Sequence, residues 1–215
     1  MVGRHITAVV ADDEAFVRNA LRTYLSADGD IEVVAEAIDG RDALDQVAAH
    51  DPDVLLLDLQ MPDLDGIEVT RQLRARQCRT RVLVVTAHLS DRYVAPALLA
   101  GASGYLVKDC VPRRILQAVR DVAEEELSID PQVTRYLIET AGRMTPPPHH
   151  SVELTDRERQ VLEKLCTGLS NKEMADELML AESTIKYYLS GLMQKFDSRD
   201  RVQLVISAFR SGVVR

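Results

Sequence analysis

Hydrophobic positions in the first 125 residues alternate between two spacings. Short apolar runs occur at ITAVVA (6–11), IEVVAEAI (31–38), VLLLD (54–58), RVLVVTA (81–87) and GYLVK (104–108). Each is nearly continuous and short, the pattern of a strand buried on both faces of a parallel sheet. Between them, residues 15–26, 40–49, 66–76, 91–100 and 112–124 place apolar side chains at helical spacing. Five strands alternating with five helices predict a doubly wound, five-stranded parallel sheet of the flavodoxin-like kind.

The pattern then changes. Asp130-Pro131 offers a helix start with proline at the first helical position, and this helix is expected to reach about Ala141. TPPPHH (145–150) breaks it and reads as a stiff linker. Residues 151–215 carry no strand pattern. Thr155 with Glu158, and Ser170 with Glu173, have the spacing of capping boxes, and Gly168 suits a helix stop. Further helices are expected over about 182–196 and 199–210, after a tight turn at Met179–Ala181. Four short helices around such a turn predict a helix-turn-helix module. The expected organisation is an α/β domain (1–125), a partly helical linker (126–150) and an all-α domain (151–215).

Composition narrows the setting. Apolar residues make up 46% and charged residues 28%, as in an ordinary globular protein. No run approaches a membrane span and the first apolar run is only Ile6–Val10, so a cytoplasmic protein without a membrane partner is expected. Cys78, Cys110 and Cys166 are odd in number and far apart, which fits reduced, metal-free thiols. His149 and His150 read as exposed linker residues rather than ligands. The net charge of −8 lies wholly in the first 150 residues, because residues 151–215 balance ten basic against ten acidic groups. Such asymmetry predicts two units with different partners.

The strand ends carry the chemistry. Asp12 and Asp13 follow the first strand, Asp58 ends the third, Thr86 the fourth, and Lys108 follows the fifth. Sites in open parallel sheets form at these carboxyl ends. Carboxylates about 4 Å apart repel by about 4 kcal/mol per pair at an effective dielectric near 20, so a cation is expected among them. Hard oxygen donors and few carboxylates favour Mg²⁺. An aspartate beside a divalent ion, with lysine and threonine opposite, is suited to receive a phosphoryl group.

ADDE (11–14), LLLDLQMPDLDG (55–66), VVTAH (84–88) and GASGYLVKD (101–109) closely resemble the receiver domain of bacterial response regulators. LTDRERQVLEKLCTGLSNKEMADELMLAESTIKYYL (154–189) resembles the DNA-binding domain of the NarL/LuxR family. The resemblance implies a transcription factor phosphorylated by a sensor histidine kinase, which then dimerises on an inverted-repeat operator. It implies Asp58 as phosphoacceptor and Mg²⁺ held by Asp13, Asp58 and the Gln60 backbone carbonyl, with Asp12 acting through water. Thr86 and Tyr105 would form a switch pair, the ring rotating as the threonine hydroxyl is drawn inward, while Lys108 would contact the phosphoryl group. Gln60 and His88 would border the path of the water that removes it.

On a wheel of 100° per residue, Ile185, Leu189, Leu192 and Phe196 share one face of the third helix of this module. Ser183, Lys186, Tyr187, Ser190 and Gln194 share the opposite arc, where a helix would meet a major groove. By the resemblance, Lys186, Tyr187 and Ser190 contact DNA. Departures from the family are Ala181 for a frequent capping serine, Tyr188 for a common histidine, Ser190 at a sometimes basic position, and Gly191 within the helix. On the last helix Val202, Val205, Ile206 and Phe209 form the expected core stripe, with Leu204 and Ala208 off it.

Two other readings compete. An aspartyl-phosphate phosphatase of the haloacid dehalogenase type needs D-x-D on the first strand, whereas Asp58 lies on the third and is followed by Leu59-Gln60. A phosphorylation-independent regulator of the same fold would be expected to lack some of the acids, Thr86 or Lys108, all of which are present.

Overall fold

The computed structural model describes residues 5–90, 92–124, 128–129, 133, 152–198 and 201–214. The chain divides into two compact units, the first ending at Ser128 and the second beginning at Ile129. The helix expected over 130–141 falls almost entirely outside the described residues, and the 145–150 linker does so completely.

The first unit alternates β1 (Ile6–Ala11), α1 (Ala15–Leu25), β2 (Ile31–Ala37), α2 (Gly40–His50), β3 (Val54–Leu57), α3 (Gly66–Ala75), β4 (Arg81–Thr86), α4 (Val94–Ala100), β5 (Gly104–Val107) and α5 (Pro112–Ala123). The sheet order is β2-β1-β3-β4-β5, and the pairs β1/β2, β1/β3, β3/β4 and β4/β5 are all parallel. One addition was not anticipated: a two-residue strand, β6 (Ser128–Ile129), lies beyond β5 in the sheet. Two residues are too few to show a periodicity. Helix α4 begins at Val94 rather than near residue 91, and Tyr93 at its N-cap supplies no side-chain cap.

Side chains alternate between the sheet faces. Ile6, Ala8, Val10, Val54, Leu56, Leu83, Val85 and Leu106 pack with residues of α1 and α5 in one core cluster. The intervening residues Val9, Leu55, Leu57, Val84 and Tyr105 are also buried, on the face opposite. Burial on both sides explains the unbroken apolar runs. Local chemistry sets the helix starts: Asp39 caps α2 through the Arg41 and Asp42 amides, Asp65 caps α3 through Glu68, and Pro112 opens α5.

The second unit contains α6 (Asp156–Cys166), α7 (Asn171–Leu178), α8 (Glu182–Lys195) and α9 (Arg201–Arg210). Both capping boxes form, Thr155 with Glu158 and Ser170 with Glu173. Gly168 (φ 84°) lies just past α6, and Met179 (φ 52°) ends α7 in the left-handed region. Ile185, Leu189 and Leu192 are buried as expected, and Phe196 packs against the same cluster. The last helix differs from expectation, because Leu204 and Ala208 are fully buried beside Val205. Helix α9 packs against both α6 and α8, so the face it buries is turned from the single stripe a wheel suggests. The side chains of Val202, Ile206 and Phe209 lie outside the described residues. Cys78, Cys110 and Cys166 form no disulfide, and burial pushes the Cys166 thiol up to about 12.

Arg120 of α5 reaches the turn before β2, donating to Asp28 at 2.7 Å and to Asp30 at 2.7 and 2.9 Å. This guanidinium holds the Asp30 carboxyl below the ordinary carboxylate range. A depressed folded-state value stabilises the fold above the unfolded value near 3.9. That contribution is lost as pH falls through the folded value. Arg120→Met should therefore be less stable at neutral pH, with the gap to wild type narrowing below about pH 4. Denaturant titrations of both proteins across that range test it, and a gap independent of pH would remove the pair from the acid response.

Candidate functional site

Strand order brings the predicted acids together. β1 and β3 are neighbours, and the chain leaves them toward opposite sides of the sheet, which opens a crevice above their carboxyl ends. The Asp58 amide donates to the Ala11 carbonyl at 2.9 Å, and the Asp12 amide to Ala37 at 3.1 Å. Asp12, Asp13 and Asp58 each offer one carboxylate oxygen, and these lie within 4.8 Å of one another. Asp12 and Asp58 are buried and Asp13 is exposed.

Lys108 supplies the opposing charge. Its Nζ lies 2.7 Å from Asp12 Oδ2, 2.8 Å from Asp58 Oδ2 and 3.7 Å from Glu14 Oε1. Its amide donates to the Thr86 carbonyl at 2.9 Å, so the β4–β5 pairing sets its position. Burial pushes the Asp12 carboxyl above the ordinary range, against the pull of Lys108 and the Glu14 amide. Burial would lower Lys108, but its bonds to Asp12 and Asp58 prevail and raise it. The Asp12, Asp13 and Asp58 carboxylates, with one ammonium bound to two of them, remain an anionic pocket of hard oxygens, a donor set suited to Mg²⁺.

Two further bonds hold the acids. The Leu59 amide donates to Asp58 Oδ1 at 2.6 Å, and Arg18 donates to the backbone carbonyls of Asp12 and Asp13 at 2.7 and 3.2 Å. Thr86 is fully buried, and its Oγ1 accepts from the His88 amide at 3.4 Å. Tyr105 is also fully buried, its hydroxyl donating to the His88 carbonyl at 2.7 Å. The ring already points inward. Gln60 is exposed, and its amide donates to the Tyr93 hydroxyl.

In the second unit Ser183, Lys186, Tyr187, Ser190 and Gln194 are all exposed on α8. Tyr187 is 76% exposed, unusual for an aromatic side chain, and meets Tyr188 edge-on at 5.9 Å. Lys186 lies 3.4 Å from Glu182, one turn earlier. A concavity of about 620 Å³ separates this helix from the start of α6, lined by Thr155, Arg157, Tyr187, Tyr188 and Gly191 among others.

Residues 8–120 match the family described as response regulator receiver domain, and residues 152–208 that of bacterial regulatory proteins of the luxR family. The chain is a NarL/LuxR-family two-component response regulator. It is 35% identical over 214 residues to an uncharacterized transcriptional regulatory protein, YxjL, of Bacillus subtilis, covering 98% of each chain. It is 37% identical to the DNA-binding transcriptional activator DevR/DosR of Mycobacterium tuberculosis over 203 residues, 94% of each. A receiver-domain structure of a response regulator named NarL from M. tuberculosis is 41% identical with a TM-score of 0.55, covering 56% of this chain and 98% of that one. The regulator is thus a DNA-binding transcription factor rather than an enzyme. No described helix is long and apolar enough to cross a membrane.

Several residues of the site escaped the sequence reading. Arg18 and Tyr93 act through side-chain contacts that no spacing announces, and Glu14, though it closes the ADDE motif, reaches Lys108 by a contact the motif does not state. Gly66 is different, because it sits within the family motif and opens α3. A Cβ there would lie 2.3 Å from the Asp58 carbonyl oxygen and 3.0 Å from Leu59 Cα. A Cβ on Gly40 would lie 2.1 Å from the Leu64 carbonyl oxygen. The loop after Asp58 is held between two helix starts that approach it more closely than a side chain permits. Gly66→Ala should push this loop outward, costing about 1–3 kcal/mol or more and disturbing Asp58. Thermal denaturation is the check, and a wild-type melting temperature in this variant would refute the clamp.

Proposed function

We propose that Asp58 accepts a phosphoryl group from the phosphohistidine of a partner sensor kinase, and that this drives dimerisation and sequence-specific DNA binding. The observation that supports it most is the meeting of Asp58, Asp12 and Asp13 with Lys108 at the carboxyl edge of the sheet. In the transfer an Asp58 oxygen bonds to phosphorus while the phosphorus–nitrogen bond to the kinase histidine breaks, and the imidazole leaves with the electron pair. Lys108 is placed to neutralise charge on the transferred oxygens. Asp13, Asp58 and the Gln60 carbonyl would hold Mg²⁺, with Asp12 acting through water; the ion would supply further charge neutralisation.

Thr86 and Tyr105 act as the switch pair in this reading. A phosphoryl group on Asp58 adds acceptor oxygens that engage the Thr86 hydroxyl. The buried Tyr105 ring already holds the inward position, bonded to the His88 carbonyl, and the phosphoryl group would stabilise that position rather than create it. With Mg²⁺ and a small acyl phosphate the protein should gain one phosphoryl group, and Asp58→Asn should gain none. Intact-mass measurement reads this directly, and label persisting in Asp58→Asn would remove the assignment.

The second unit is electrically neutral and offers little non-specific attraction to phosphate, so pairing two copies on an inverted repeat compensates. The α8 face formed by Ser183, Lys186, Tyr187, Ser190 and Gln194 is the proposed reader. Lys186 must exchange its Glu182 contact for DNA. If it reads a base, Lys186→Ala should cost about 1–3 kcal/mol per half-site and relax one operator position. Titrations of the phosphorylated protein on matched and mutated operators at two salt concentrations separate base from phosphate contact. Unchanged affinity on every sequence would show that this face is not the reader.

A further inference from the structure

Beside the acidic cluster a second set of side chains joins two loops that the switch pair does not explain. Gln60 follows β3, and Tyr93 precedes α4 at the far end of the loop after β4. The Gln60 amide donates to the Tyr93 hydroxyl. The Tyr93 ring lies 5.4 Å from the His88 ring, and the Arg92 guanidinium sits 5.6 Å from its centre. His88 in turn donates its amide to Thr86 Oγ1 and accepts the Tyr105 hydroxyl. The bridge therefore spans the carboxyl ends of the adjacent strands β3 and β4, where Asp58 and Thr86 stand. It is anchored at the start of a short helix that has no side-chain cap of its own.

We infer that Tyr93 is a positioning residue that sets how long the phosphoryl group survives on Asp58. The inference rests on Asp58 being the acceptor. Loss of the group is hydrolysis: a water oxygen bonds to phosphorus, the bond to the Asp58 oxygen breaks, and the carboxylate and inorganic phosphate result, the proton passing to solvent. Gln60 is the exposed side chain two residues beyond the acceptor. While Tyr93 holds one N–H of the amide, the Gln60 side chain is fixed in place and does not swing to orient a water, and the two loops stay joined across the mouth of the site. Releasing it frees a donor and opens the approach. The tie therefore slows hydrolysis, and any movement of α4 that draws Tyr93 away shortens the signal.

Tyr93→Phe removes the hydroxyl and keeps the ring against His88 and Arg92. It should speed decay of the Asp58 label about two- to ten-fold, the rate equivalent of one hydrogen bond, with the melting temperature unchanged. In a Gln60→Leu background the same substitution should add nothing. Independently of phosphorylation, the Gln60 side-chain amide signals in a ¹⁵N spectrum, identified by their loss in Gln60→Leu, should shift in Tyr93→Phe. Label that decays at the wild-type rate in Tyr93→Phe would overturn the inference and leave the acceptor assignment standing. So would equal acceleration with and without Gln60, or Gln60 amide signals that do not move. Failure of the wild-type protein to take up label at Asp58 would overturn both.

Discussion

The structure of the first unit is organised around one electrostatic constraint, the Lys108 ammonium held between the Asp12 and Asp58 carboxylates. Acids this close are tolerable in a buried site only when opposed by positive charge. Three elements must be in register for that to happen. β1 and β3 must be adjacent, β5 must lie where its end faces them across β4, and Lys108 must be locked to Thr86 through the backbone. The doubly wound topology delivers all three, because parallel strands place every carboxyl end on one edge. Charge remains incompletely balanced, and that imbalance makes the pocket fit for a divalent ion and a phosphoryl group.

Precision at this edge comes from the loops and the backbones behind them. The loop after Asp58 is bounded by Gly66 and Gly40, where a side chain would collide with its carbonyls. The Leu59 amide fixes one Asp58 oxygen, and Lys108 the other. Arg18 braces the Asp12-Asp13 turn from α1. Reactive groups on loops held by a rigid sheet can be both exact in place and open to a partner.

The second unit is built by different means. Its core is small, so cap chemistry matters more, and two capping boxes define the starts of α6 and α7. Glu158 is further tied to Lys195 at 2.8 Å, and Arg201 bonds Asn171 and the Leu169 carbonyl, drawing α9 to the loop before α7. Such ties orient α8 with its polar arc outward. Neutral charge with an exposed tyrosine and lysine suits the reading proposed above, in which affinity depends on assembly more than on attraction to phosphate.

Much of this was legible in the chain. Continuous apolar runs revealed strands buried on both faces, capping spacings marked α6 and α7, and the acids, Thr86 and Lys108 each stood at a strand end. These features are local, set by periodicity and by the side chain's own backbone. What only the tertiary structure decided is non-local. Leu204 and Ala208 are buried because α9 meets two helices at once, and the two-residue β6 exists through pairing rather than pattern. The roles of Gly40 and Gly66 depend on how near another backbone passes, and Tyr93 gains meaning only through Gln60, 33 residues away. A sequence specifies which groups are available and how each local segment repeats. Which of them touch is settled by packing, where separations of a few ångströms decide whether charges pair and hydroxyls find partners.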